Sequence, residues 1–141
     1  MSKPSSARAR LPRAIMDALI GHALRSPRLE VCGLIGGVGE VAVSRYPVAN
    51  VARDPASRFE MDPRAQIDVF RALREENQEL YAIYHSHPDG PAEPSATDLE
   101  QAAYPDAFYL IVSLAGTGAP EVRAFRLVDD AFAAVDLVVE R

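Results

Sequence analysis

The sequence predicts one mixed α/β domain. Three observations carry this expectation. Segments of helical period alternate along the chain with short apolar runs of strand length. Hydrophobic residues make up 48% of 141 residues, enough to bury a core and usual for one domain. No internal repeat or low-complexity tract breaks the pattern.

Residues 1–10 are polar and basic and read as a flexible tail, with the domain running over 11–141. Pro12 suits a first helical position, and Ile15, Leu19, His22 and Ala23 follow at helical spacing, so a helix is expected to Arg25, before Pro27. Residues 31–35 read as a short buried strand. Gly36, Gly37 and Gly39 then predict a turn into a second strand over 40–48. Residues 50–57 read as a loop, and 58–61 as a short strand.

Asp62-Pro63 is a helix start, a capping carboxylate followed by proline. Ile67, Phe70, Leu73 and Leu80 supply an apolar stripe that carries this helix to about Leu80. A strand over 81–86 follows. Next comes a loop with Pro88, Pro91 and Pro94 and an Asp89-Gly90 turn signal. A short helix over 96–103 stops before Pro105, and 107–114 is an apolar strand. Residues 121–128 and 131–139 predict a closing antiparallel pair around Asp129-Asp130.

Composition excludes several chemistries. The single cysteine, Cys32, allows neither an internal disulfide nor a zinc site built on several thiolates. The only lysine is Lys3, so a phosphate-loop lysine and a Schiff base are both absent. Gly37-Val38-Gly39 lacks the third glycine of a dinucleotide fingerprint, because Ala42 stands there. A net charge of −5 disfavours nucleic acid as a partner. No apolar run approaches the ~20 residues that span a bilayer, and the first residues lack the apolar core of a secretory signal. The expectation is a cytoplasmic protein with no membrane partner.

His85 and His87 stand at the end of a predicted strand. Strand side chains alternate, so both imidazoles leave the same face, roughly 6–7 Å apart along the chain. That spacing lets both rings reach one ion at ~2.0–2.1 Å. A catalytic zinc site needs a third protein ligand and an open position for water. Asp98 is the candidate, in the first turn of the next helix after a loop stiffened by prolines. Other divalent metals also suit such a set. Two plainer readings compete. The histidines could be half-exposed polar residues, and Ser95-x-x-Asp98 fits a capping box. Capping and ligation are compatible, since Ser95 can cap the helix while Asp98 turns toward a metal.

A water nucleophile needs a general base. Glu30, Glu60 and Glu93 are all eligible by position, with Glu30 adjoining the buried strand. His22 reads as a boundary histidine, and Cys32 as an inert buried thiol. Glu75, Glu76 and Glu79 read as a solvated helix face.

His85-Ser86-His87-Pro88, then Ser95 and Asp98, resembles the JAMM signature of the MPN-plus metallopeptidases. Residues 30–36 resemble the glutamate-bearing strand of that family. Asn50 through Pro55, Arg58-Phe59 with Asp62-Pro63, and residues 109–114 resemble its compact prokaryotic members. The resemblance spans roughly 11–126. It implies a cytidine-deaminase-like fold, a central mixed sheet flanked by helices. It implies one zinc per chain on His85, His87 and Asp98, with Glu30 as general base and Ser95 as hydrogen-bond donor to the oxyanion. It further implies hydrolysis after the C-terminal diglycine of a ubiquitin-like or sulfur-carrier partner. The chain lacks the insertions with which eukaryotic relatives grip linked ubiquitin. The alternatives are a non-catalytic MPN-type binding scaffold, or a hydrolase on another target such as cell-wall peptide or a DNA-repair assembly.

Overall fold

The computed structural model describes residues 8–141. Its elements are β1 (Arg8–Pro12), α1 (Arg13–Arg25), β2 (Cys32–Val38), β3 (Val41–Val48), α2 (Pro63–Glu75), β4 (Glu79–His87), α3 (Ala96–Gln101), β5 (Phe108–Ser113), β6 (Glu121–Val128) and β7 (Ala131–Glu140). The strands form one seven-stranded sheet in the order β1-β7-β6-β5-β4-β2-β3. It is mixed, because β4–β5 and β1–β7 pair parallel while the other pairs are antiparallel. The mixed α/β class expected from the sequence is the class observed.

Each face of the sheet carries its own core. α1 packs Leu19 and Ala23 against a face that includes Tyr84, Leu110 and Val112. The opposite face holds Leu34, Ile83 and Ile111 against Val69 and Leu73 of α2. Strand alternation puts Tyr84 toward the first core and Ile83, His85 and His87 toward the second. β4 has a neighbour on each side, with His85 opposite Cys32 of β2 and Ile111 of β5. Backbone pairing on both flanks holds the histidine strand rigid.

Residues 8–10 do not belong to the flexible tail expected over 1–10. Its first seven residues lie outside the described ones, but Arg8, Ala9 and Arg10 belong to β1 and pair with Asp136, Leu137 and Val138. Ala9 and Leu11 are fully buried, and the Arg10 guanidinium meets Glu140 at 2.6 Å. A five-residue strand whose pairing partner lies 128 residues away has too little local signal to stand out.

Four other expectations are corrected. Gly36 and Gly37 continue β2 through a bulge, and the turn falls at Gly39, whose φ of 63° suits glycine. At Gly36 a Cβ would lie 2.5 Å from Cδ2 of the buried Leu73, so a larger residue would force the core beneath it to shift. Residues 58–61 form no strand, only a bridge between Asn50 and Met61. α2 stops at Glu75, because Asn77 turns left-handed with φ 56° and Gln78 N–H closes on the Leu73 carbonyl at 2.8 Å. Its buried stripe is Val69 and Leu73, whereas Ile67 is 60% exposed. Asp62 does cap α2, accepting from Ala65 N–H, with Pro63 following. No helix among the described residues is long and apolar enough to cross a membrane.

Candidate metal centre

His85 and His87 leave the end of β4 on one face, and their Nε2 atoms stand 3.0 Å apart. Asp98 Oδ2 lies 3.1 Å from each. Asp98 is brought there by its own helix cap. Ser95 Oγ accepts from Asp98 N–H at 3.1 Å, and Asp98 Oδ2 accepts from Ser95 N–H at 2.9 Å. The capping box and the meeting with the histidines therefore coexist, on the same carboxylate oxygen.

Neighbouring groups fix the rings. The Pro91 carbonyl sits 2.8 Å from His87 Nδ1. A carbonyl only accepts, so Nδ1 carries the proton and Nε2 turns its lone pair inward, a common arrangement for metal-bound imidazoles. Ser113 Oγ donates to the Gly90 carbonyl at 2.6 Å and holds the proline-rich loop that bears Pro91. Phe59 stacks on the His85 ring at 4.5 Å between centroids.

Of the three candidate bases, Glu30 alone joins the cluster. Ligand atoms of Glu30, His85, His87 and Asp98 all lie within 4.8 Å of one another. Glu30 is 6% exposed, and its Oε1 has no hydrogen-bond partner. Burial pushes its pKa up to about 7, opposed by the charge of His87 and aided by that of Asp98. Glu60 and Glu93 are exposed, and Glu93 is paired with Arg123 at 3.5 Å.

The donor set fits a divalent cation. Tetrahedral ligands at ~2.0–2.1 Å stand roughly 3.3 Å apart. The three inward atoms are 3.0–3.1 Å apart. With His87 Nδ1 protonated, these atoms are chiefly acceptors facing acceptors, an arrangement that a cation satisfies better than a shared proton. Without a cation, burial lowers the pKa of His85. For His87 burial acts in the same sense, but the hydrogen bonds to Asp98 and Pro91 overcome it and the pKa rises. Burial would raise Asp98, yet bonding to both imidazoles holds it well below the usual carboxylate range.

An apolar cavity of about 340 Å³ opens beside the cluster. His85 and Asp98 form part of its wall, with Leu34, Phe59, Met61 and Tyr104. Glu30 and Ser95 are not in that wall.

Residues 12–128 match the model of the prokaryotic homologs of the JAB domain. The chain belongs to this prokaryotic JAB family. Among its relatives is a desampylase of Haloferax volcanii, 32% identical over 96% of this chain and 99% of the relative. A CysO-cysteine peptidase of Mycobacterium tuberculosis is 35% identical over 83% of this chain and 81% of the relative. The solution structure of a protein from Desulfitobacterium hafniense superposes with a TM-score of 0.82 at 32% identity, covering 93% of this chain and 92% of that one. With the signature residues gathered in one cluster and relatives named as peptidases, this JAB-family chain is a JAMM-type hydrolase.

The sequence reading missed the supports of the site. Ser86 points away from the histidines, and its Oγ accepts from Val31 N–H at 2.9 Å, which ties the Glu30 segment to β4. Its place between two candidate ligands was the available signal, since alternation sends it to the other face. Neither the Pro91 carbonyl nor the Phe59 stack leaves a mark in spacing.

Proposed function

We propose that the chain is a zinc metallopeptidase that hydrolyses the bond after the C-terminal Gly-Gly of a ubiquitin-like or sulfur-carrier protein. The observation that carries this reading is the unpartnered, buried Glu30 carboxylate oxygen within the same 4.8 Å cluster as His85, His87 and Asp98. A carboxylate kept free of hydrogen bonds beside a metal-donor set is suited to proton transfer.

His85, His87 and Asp98 would hold the zinc. When bound, zinc lowers the pKa of a water to about 7 and polarises the scissile carbonyl. Glu30 Oε1 takes the proton of the attacking water and passes it to the departing amine. With zinc bound, the cation beside Glu30 favours its ionised form, the state a general base needs. Ser95 Oγ already accepts from Asp98 N–H, so its own proton remains available to donate to the oxyanion.

Relatives' names point to protein conjugates, as in a probable TtuB-protein conjugate cleaving protease of Thermus thermophilus, and to a CysO-cysteine bond. Glycine lets two backbones approach closely, so a diglycine tail can enter a crowded site beside Phe59 and Pro94. The apolar cavity then offers room for a side chain upstream of the glycines, because Glu30, which must reach the departing amine, is not in its wall.

The test is to offer zinc-loaded protein a small carrier extended beyond its Gly-Gly end and weigh the products. Cleavage after the second glycine is expected. Tight binding of the carrier with no hydrolysis would instead favour a scaffold.

A further inference from the structure

Glu30 lies just ahead of β2, outside any helix or strand, yet its backbone is fully bonded. Its N–H donates to the Pro55 carbonyl at 2.8 Å. Its carbonyl accepts from Asn50 Nδ2 at 2.8 Å. On either side, Ser86 Oγ meets the Leu29 carbonyl at 3.4 Å and the Val31 N–H at 2.9 Å.

Asn50 uses the whole capacity of its amide. Nδ2 donates to the carbonyls of Glu30 at 2.8 Å and Arg58 at 3.0 Å. Oδ1 accepts from the N–H groups of Ala52 and Glu60, each at 3.0 Å. Only a carboxamide offers two donors and two acceptors, and a carboxylate of the same shape offers no donor. The partners belong to separate stretches of chain. One is the backbone of Glu30, and another brackets Phe59, the ring stacked on His85.

We propose that Asn50 is a positioning residue: its carboxamide locks the Glu30 backbone to the Phe59 stretch, so that the Glu30 carboxylate faces the donor cluster. Asn50 touches neither the donors nor a reacting atom. Its effect passes through Glu30, and the inference rests on the proposed role of Glu30 as base. Reactions of this kind are sensitive to placement, since a shift of about 1 Å can cost on the order of 10²-fold in rate.

The experiment compares Asn50→Asp and Asn50→Ala with the wild-type full chain, loaded with zinc and given a Gly-Gly-extended carrier. Asn50→Asp keeps the acceptor toward Ala52 and Glu60 and loses both donors. The expected result is a fall in kcat of roughly 10–100-fold, with KM within about two-fold and zinc content unchanged. Amide exchange at Glu30 should quicken about tenfold or more, because freeing the Glu30 carbonyl from Asn50 loosens the adjoining N–H bond to the Pro55 carbonyl. Unchanged kcat or unchanged exchange would overturn the proposal. So would an activity loss matched by zinc loss, or an unfolded Asn50→Asp chain, since either assigns the bonds to stability alone. Exchange needs no substrate. A wild-type chain that cuts no carrier therefore counts against the proposed function, while exchange at Glu30 still decides the role of Asn50.

Discussion

Asp98 Oδ2 accepts the Ser95 backbone N–H at 2.9 Å while facing the two histidine Nε2 atoms at 3.1 Å, so one oxygen closes a helix cap and completes a donor set. The first turn of α3 thereby positions the carboxylate through its own backbone. The two functions can be separated by mutation.

Asp98→Asn retains a side-chain acceptor for the Ser95 N–H and removes the negative charge. We expect the metal-free fold to keep the cap but lose stability, because the neutral amide forfeits the ionic bonding to the two imidazoles, while zinc affinity falls by well over tenfold. Chelator competition reads the affinity, and thermal unfolding in chelator reads the stability. Equal zinc affinity in the variant would remove Asp98 from the ligand set.

Ser95→Ala removes the cap acceptor and the proposed oxyanion donor together. Loss of an N-cap hydroxyl costs about 1 kcal/mol, and loss of an oxyanion donor about 10²–10³-fold in kcat. The zinc should stay bound. A stability loss with kcat unchanged would leave Ser95 only its cap.

Glu30 makes the metal-free protein pH-sensitive. Its pKa is about 7 in the folded chain against an ordinary 4.5, so the fold favours the protonated form. Its stabilising share is complete below about pH 4.5, declines as pH rises, and is lost above about pH 7. Glu30→Gln stays neutral throughout. In chelator its unfolding temperature should match wild type near pH 4.5 and exceed it by several degrees at pH 8. Parallel pH profiles for the two proteins would contradict the buried, unpartnered carboxylate.

The α2 stripe shows what the sequence concealed. Ile67, Phe70, Leu73 and Leu80 fit a helical period, but Asn77 ends the helix first and Leu80 belongs to β4. Leu73→Ala should cost about 2–5 kcal/mol, and Ile67→Lys within about 0.5 kcal/mol, both read by urea unfolding. A large penalty at Ile67 would contradict its 60% exposure.

The donors were legible because strand alternation and a capping motif are local rules. They put His85 and His87 on one face and Asp98 at the third position of α3 before any tertiary contact is considered. That Glu30, and not Glu60 or Glu93, joins the cluster was not legible from spacing, since tertiary packing brings it there, and only resemblance singled it out in advance. β1 went unread because its partner is the last strand of the chain. The supporting roles of Asn50, Ser86 and Pro91 went unread because their bonds join segments distant in sequence or use a backbone carbonyl.

In the proposed mechanism Glu30 serves as the base of a zinc centre built on His85, His87 and Asp98. The most direct measurement is zinc content and turnover of a Gly-Gly-extended carrier, taken together on Glu30→Gln. One zinc per chain is expected, as in the wild type, with kcat reduced by at least about 10²–10⁴-fold. A zinc-loaded Glu30→Gln chain that cleaves at the wild-type rate would contradict that mechanism.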